Sequence, residues 1–306
     1  MLEQLIDQVH INFDTQSLWT LNLALALVMF GIALEINTND FKQLFRQPKL
    51  VFTGVACQFL VLPALTFFLV WVIQPLPSIA LGMFMVAACP GGNVSNFFTH
   101  LAGGNSALSV TLTAIATLLA VVMTPFNLNF WGSLYEPTAS ILTQVSIEPL
   151  EMVKLVALLL GVPLVLGMLV GHYMPTIAKK MAKGFKIGSL LFFIALVFLA
   201  LSKNMDIFFE YVFYVFWLVL FHNLVAMLTG FSIATFLGFN KADVRCLTIE
   251  TGIQNSGLGL LLIFTFFDGL GGMALLAAFW GIWHLISGLA LASFWGYKGV
   301  QQKEVV

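Results

Sequence analysis

CPGGNVSN (Cys89–Asn96) and IETGIQNSG (Ile249–Gly257) each interrupt an apolar run long enough to cross a bilayer. In the first, Pro90 removes a backbone donor and clashes with the preceding turn, while Gly91 and Gly92 let the chain leave helical geometry. In the second, Gly252 and Gly257 flank Gln254, Asn255 and Ser256, and Glu250 adds a carboxylate. Irregular backbone at membrane depth is tolerated only where protein or water satisfies it. The two stretches are therefore expected to face each other across an internal site. Glu250 alone among the 14 acidic residues lies well inside an apolar run, and no Lys or Arg lies in the core of any run to pair with it. A lone carboxylate at that depth costs on the order of 3 kcal/mol, which makes a cation from outside the chain its natural partner.

Composition supplies the setting. Of 306 residues, 60% are hydrophobic and 9% charged, against about 25% charged in a soluble domain. With a mean hydropathy of +0.98, too little polar surface remains to coat a water-exposed body, so the solvent is the bilayer. Thirteen Lys and Arg against 14 Asp and Glu leave no basic face for phosphates and exclude nucleic acid as a partner. Cys57, Cys89 and Cys246 are odd in number and far apart. They offer neither a disulfide framework nor a CxxC metal site, and read as buried apolar residues. The acidic start, with Glu3, Asp7 and Asp14 and no cation before Gln16, is the opposite of a signal peptide, so the first apolar run is expected to stay in the mature chain.

Apolar runs near 17–35, 50–73, 79–102, 105–126, 150–173, 187–202, 208–237, 246–267 and 273–297 predict nine transmembrane helices. Lys42, Arg46 and Lys49, then Lys179, Lys180, Lys183 and Lys186, then Lys241 and Arg245, and finally Lys298 and Lys303 fall on one side; only Lys154 and Lys203 fall on the other. By the positive-inside rule the N-terminus is outside and the C-terminus cytoplasmic. The stretch from Asn127 to Pro149, with Phe130, Trp131 and Tyr135 and no cation, reads as an outer connection at the headgroups. The two broken spans are third and eighth and so cross in opposite directions, the mark of an inverted repeat. Spans one to four then pair with six to nine, leaving the fifth without a mate.

Through these residues the chain resembles the bile acid:sodium symporter family and its bacterial homologues. The resemblance runs from about Met29 to Trp295 and rests on MFGIALE (Met29–Glu35), Gln58 ahead of Pro63, CPGGNVSN, ALSVTLT (Ala107–Thr113), IETGIQNSGL (Ile249–Leu258) and WHLISG (Trp283–Gly288). It implies an all-α polytopic membrane protein in the nine-helix form, which lacks the first helix of ten-helix relatives. The whole of 1–306 would form one transporter unit. A core domain (about 50–126, 208–267 and 273–297) would hold two crossed, broken helices, and a panel domain (about 17–35, 150–173 and 187–202) would rock against it.

The resemblance further implies two sodium ions behind the crossing. The first takes oxygens from Ser95, Asn96, Ser109, Thr113 and Glu250. The second takes them from Gln58, Glu250, Gln254 and the backbone carbonyls of Thr251 and Ile253. A hard cation wants several oxygens and unwound carbonyls supply them without charge; Ser109 and Thr113 stand i, i+4 on one helix face. Asn93, Asn255 and His284 are candidate substrate contacts, with core hydrogen bonding as the alternative role for Asn255 and His284. Asn93 stands where bacterial relatives commonly have Thr, and Leu285 where several have Asn. His222 and His100 read as structural.

The function implied is sodium-driven import of a small organic anion, such as a bile acid, a pantoate-like acid or a keto acid. The carrier would be a monomer in the cell (inner) membrane. A proton-coupled or metalloid- or anion-exporting relative, with Glu250 or His222 carrying the proton, is the alternative. An intramembrane hydrolase needs a catalytic pair, and one buried carboxylate does not make one. A channel would need a continuous lined pore.

Overall fold

A computed structural model describes residues 23, 26–36, 46–144, 154, 157–202 and 205–304. Most of 17–25, the cations Lys42 and Lys203, the end of the expected outer connection (145–149) and most of 150–156 lie outside the described residues. Every regular element among the described residues is a helix. After a helical segment at 26–33 come α1 (Pro48–Ile73), α2 (Pro77–Ala88), α3 (Val94–Leu101), α4 (Ser106–Leu134), α5 (Glu136–Gln144), α6 (Val162–Tyr173), α7 (Pro175–Ser202), α8 (Met205–Phe236), α9 (Lys241–Gly252), α10 (Ser256–Phe266) and α11 (Gly271–Glu304).

Length and composition sort these helices into two kinds. The stretches Pro48–Ile73, Ser106–Leu134, Tyr211–Phe236 and Gly271–Tyr297 are each long and apolar enough to cross a membrane. At 1.5 Å per residue, 26 residues cover about 39 Å, more than the roughly 30 Å hydrocarbon core. Their outer faces carry exposed Phe52, Phe68, Trp71, Phe213, Trp217, Ile286 and Phe294, an apolar surface that only lipid tolerates. Helical throughout the regular elements of its described residues, the protein is thus a multi-span membrane protein. In contrast α2 and α10, with 12 and 11 residues, reach only about 18 Å. Nearly every residue of both is buried, so these short helices form the centre and the long ones wrap them.

Local chemistry shapes the wrapping helices. Pro63 cannot supply the amide that would bond to the carbonyl of Phe59, and α1 widens into a π-turn at Cys57–Val61 just before it. The turn delivers Gln58 to the interior, where it is buried. A second π-turn, Ala157–Gly161, precedes Pro163 in the same way. Helices α8 and α9 touch backbone to backbone: a Cβ at Gly230 would lie 2.3 Å from the carbonyl oxygen of Leu247.

One expectation is corrected. Residues 127–134 are not a connection but the last two turns of α4, and Glu136–Gln144 forms a further helix. Asn127 remains helical because its side chain bonds within the helix, donating to the Met123 carbonyl (3.0 Å) and accepting from Trp131 Nε1 (3.0 Å). The three cysteines are free and buried, as expected.

Candidate functional site

The first broken span is α2 and α3. Helix α2 stops at Ala88, Cys89 is extended (φ −72°, ψ 152°), and α3 starts at Val94. The second is α9 and α10, with Ile253 extended (φ −108°, ψ 96°) between them. The two extended pieces lie antiparallel and pair at Gly91 and Gln254. Gly92 N–H donates to the Ile253 carbonyl, and Asn255 N–H to the Pro90 carbonyl, both at 2.8 Å. Space favours glycine here. A Cβ at Gly91 would stand 3.1 Å from a Glu250 carboxylate oxygen, and one at Gly92 3.1 Å from the Gln254 carbonyl.

Breaking two helices inside a membrane frees carbonyls that must be paired, and side chains from the wrapping helices do this. Thr124 Oγ1 on α4 donates to the Ala88 carbonyl (2.8 Å). Gln58 Nε2, from the π-turn of α1, donates to the Cys89 carbonyl (2.8 Å). Asn223 Nδ2 on α8 donates to the Gly252 carbonyl (2.8 Å) and is itself oriented by Ser287 of α11, whose hydroxyl donates to Asn223 Oδ1 (2.7 Å). Asn223 and Thr124 were not among the sequence candidates. A polar pair, His222–Asn223, inside an otherwise apolar run was the available signal for the first.

Five of the expected ion ligands converge. Glu250 is buried and accepts from Ser95 Oγ (2.6 Å), from Ser109 Oγ and from Thr113 Oγ1 (3.1 Å). The same Ser109 and Thr113 hydroxyls lie 2.8 and 3.3 Å from Asn96 Oδ1. A hydroxyl has one proton, so neither Ser109 nor Thr113 can serve both acceptors at once. Counted by atoms, the cluster holds the two Glu250 oxygens, Asn96 Oδ1 and three hydroxyl oxygens, with only three hydroxyl protons between them. It is rich in acceptors, its one ionisable group is a carboxylate, and none of the bonds to Glu250 among the described residues comes from Lys, Arg or His.

A second polar cluster adjoins it. Gln58 Nε2 also donates to Gln254 Oε1 (2.7 Å), and Gln254 Nε2 to the Thr251 carbonyl (2.8 Å). The Ile253 carbonyl spends one lone pair on Gly92. The bonds that Glu250 makes go to the first cluster; Gly91, within the first break, lies beside its carboxylate.

A cleft opens against the first cluster. Asn93, Asn96, Val110, Thr113 and Thr117 line one wall, and Ile32, Glu35 and Ile36 the other. Asn93, half-buried at the start of α3, faces this cleft. Asn255 instead caps α10, its Oδ1 accepting from Leu258 N–H (3.0 Å). His284 is buried on α11 with Nδ1 unpartnered, and neither residue is in the lining of this cleft. His222 Nε2 pairs with Thr66 Oγ1 at 2.7 Å.

The family model described as "Sodium Bile acid symporter family" matches residues 22–211. The chain is 33% identical over 299 residues to the "Uncharacterized sodium-dependent transporter YocS" of Bacillus subtilis (strain 168), covering 96% of this chain and 89% of that one. It is 31% identical over 247 residues to the "Ileal sodium/bile acid cotransporter" of Homo sapiens, over 78% of this chain and 67% of that one. To the "Probable sodium/metabolite cotransporter BASS1, chloroplastic" of Arabidopsis thaliana it is 28% identical over 287 residues, 94% of this chain and 69% of that one.

Proposed function

The chain belongs to the Sodium Bile acid symporter family, and on that premise we propose that it is a sodium-coupled carrier of a small organic anion in the cell membrane. One observation supports this above the rest: the Glu250 cluster has more oxygen acceptors than hydroxyl protons and, among the described residues, a carboxylate with no cationic side chain bonded to it. A small, hard cation satisfies such a set. The first sodium is held by Ser95, Asn96, Ser109, Thr113 and Glu250. The second is held by Gln58, Gln254, Glu250 and the carbonyls of Thr251 and Ile253.

Coupling follows from shared residues. Asn96 and Thr113 belong to both the ion cluster and the cleft wall, so a cation that draws their oxygens inward reshapes the cleft that receives the anion. Asn93 contacts the anion there; Asn255 and His284 serve it in another stage of the cycle. The carrier has nine spans arranged as an inverted repeat, with its N-terminus outside. A core of about 50–126, 208–267 and 273–297 moves against a panel of about 17–35, 150–173 and 187–202. Phe30 and Leu34 of the panel pack with its Val170, and with Ala178, Ala182 and Phe185 between its second and third segments, in a cluster of their own.

Charge arithmetic predicts the energetics. Glu250 with two sodium ions carries +1, and a monovalent anion brings the loaded site to zero, which crosses a low-dielectric barrier most cheaply. Each cycle then moves +1 inward, worth about 2.3 kcal/mol per 100 mV. Proteoliposomes polarised negative inside with potassium and valinomycin should take up a monovalent anion faster, and only with external sodium. Uptake that persists when choline replaces sodium indicates the proton-coupled alternative; uptake indifferent to potential refutes the stoichiometry.

A further inference from the structure

The first turn of α9 carries a buried carboxylate, Asp243, that ion binding does not use. Its Oδ1 accepts from Asn105 Nδ2 (2.7 Å) and its Oδ2 from Asn240 Nδ2 (2.5 Å). Both asparagines are helix caps. Asn240 Oδ1 accepts from the amides of Ala242 and Asp243 at the start of α9, and Asn105 Oδ1 from that of Leu108 at the start of α4. One carboxylate therefore ties two helix N-termini together. Backbone reinforces the tie, since Asn105 N–H donates to the Ala242 carbonyl (3.0 Å). Arg245, two residues further along α9, donates from Nη1 to the Ala102 carbonyl at the end of α3 (2.7 Å). Between these contacts the chain turns through Gly103 at φ +64°, a conformation that costs glycine nothing.

This tie lies in register with the ion cluster. Ser109 and Thr113 follow Asn105 by four and eight residues, on the same face of α4. Glu250 follows Asp243 by seven, on the same face of α9 and about 10 Å along the axis. The Asn105–Asp243 bond and the Ser109–Glu250 and Thr113–Glu250 bonds are thus successive rungs of one seam between two helices. The Arg245 contact holds the end of α3, whose first turn supplies Ser95 and Asn96. Elements α3, α4 and α9, which furnish all five oxygen-bearing residues of the first cluster, are gripped together at one end by Asp243 and Arg245 near the start of α9.

We propose that Asp243, acting through Asn105 and assisted by Arg245, is the positioning residue of the first cation site: it sets the spacing of the α4 hydroxyls from Glu250. This rests on reading that cluster as the cation site. The test exchanges the partners. Asn105→Asp places two carboxylates face to face, and Asp243→Asn weakens the bond, whereas the double variant restores it with the roles reversed. Asp remains a good cap for α4, and Asn at 243 still accepts from Asn240. Full-length protein is titrated with sodium chloride against choline chloride at constant ionic strength, with thermal unfolding as the readout. The sodium concentration giving half the stabilisation should rise about tenfold in Asn105→Asp and about threefold in Asp243→Asn, and return to within about twofold of native in the exchanged pair. If Asn105→Asp does not fold, Arg245→Gln, a half-buried position, is expected to raise the midpoint about threefold. The proposal is overturned if these variants lower the sodium-free unfolding temperature but keep the native sodium midpoint, the behaviour of a purely structural tie. An exchanged pair no better than its worse single variant overturns it as well. A native chain with no sodium response refutes the cation site itself, a distinct result.

Discussion

Replacing Glu250 by Gln keeps the shape of the side chain and removes the only charge in a cluster of hydroxyl and amide oxygens. For a sodium ion about 3 Å from the carboxylate, an effective dielectric of about 20 gives an attraction of roughly 5 kcal/mol. That corresponds to between three and four powers of ten in affinity. Sodium stabilisation should therefore vanish at any practical salt concentration. Without sodium the sign reverses. The native chain buries an uncompensated carboxylate at a cost on the order of 3 kcal/mol, and Gln removes that cost while accepting from the same Ser95 and Ser109 hydroxyls. The expected signature in thermal unfolding is a sodium-free Tm equal to or above native, with no further rise on adding sodium. A Glu250→Gln protein that retains the native sodium shift would falsify the assignment of this carboxylate as a ligand.

Two other outcomes follow. In a background lacking Cys57, Cys89 and Cys246, a cysteine replacing Asn93 in the cleft wall should react with a water-soluble maleimide at a rate that changes with sodium; equal rates speak against a gated cleft there. Thr124→Val keeps the volume of the side chain but leaves the Ala88 carbonyl without its donor. That should lower stability by about 1 kcal/mol in an unfolding assay with and without sodium, whereas an unchanged Tm would mean that water or another group already pairs this carbonyl.

The breaks were legible because their chemistry is local. Pro90, Gly91, Gly92 and Gly252 state where backbone must leave the helix, and Ser109 and Thr113 announce a shared face by their spacing alone. What could not be read is which ordinary polar residue in an apolar helix looks outward to a partner. Thr117, Thr229 and Thr248 return their hydroxyls to the carbonyl four residues back, the default for threonine in a helix. Thr124 instead reaches across to α2, and no local pattern separates it from the others. The same holds for Asn223 and Asp243, whose roles exist only once α8 lies against α9 and α9 against α4. Asn127 misled in the opposite sense: a polar residue taken as the start of a connection satisfies itself inside α4 through Met123 and Trp131.

Equilibrium binding of radioactive sodium to the purified chain tests the central claim most directly, because it needs no knowledge of the anion. Saturable binding of two ions per chain is expected, undisplaced by choline, with the bound sodium lost in Glu250→Gln. A chain that binds no sodium saturably, or binds it equally well after that substitution, contradicts the account.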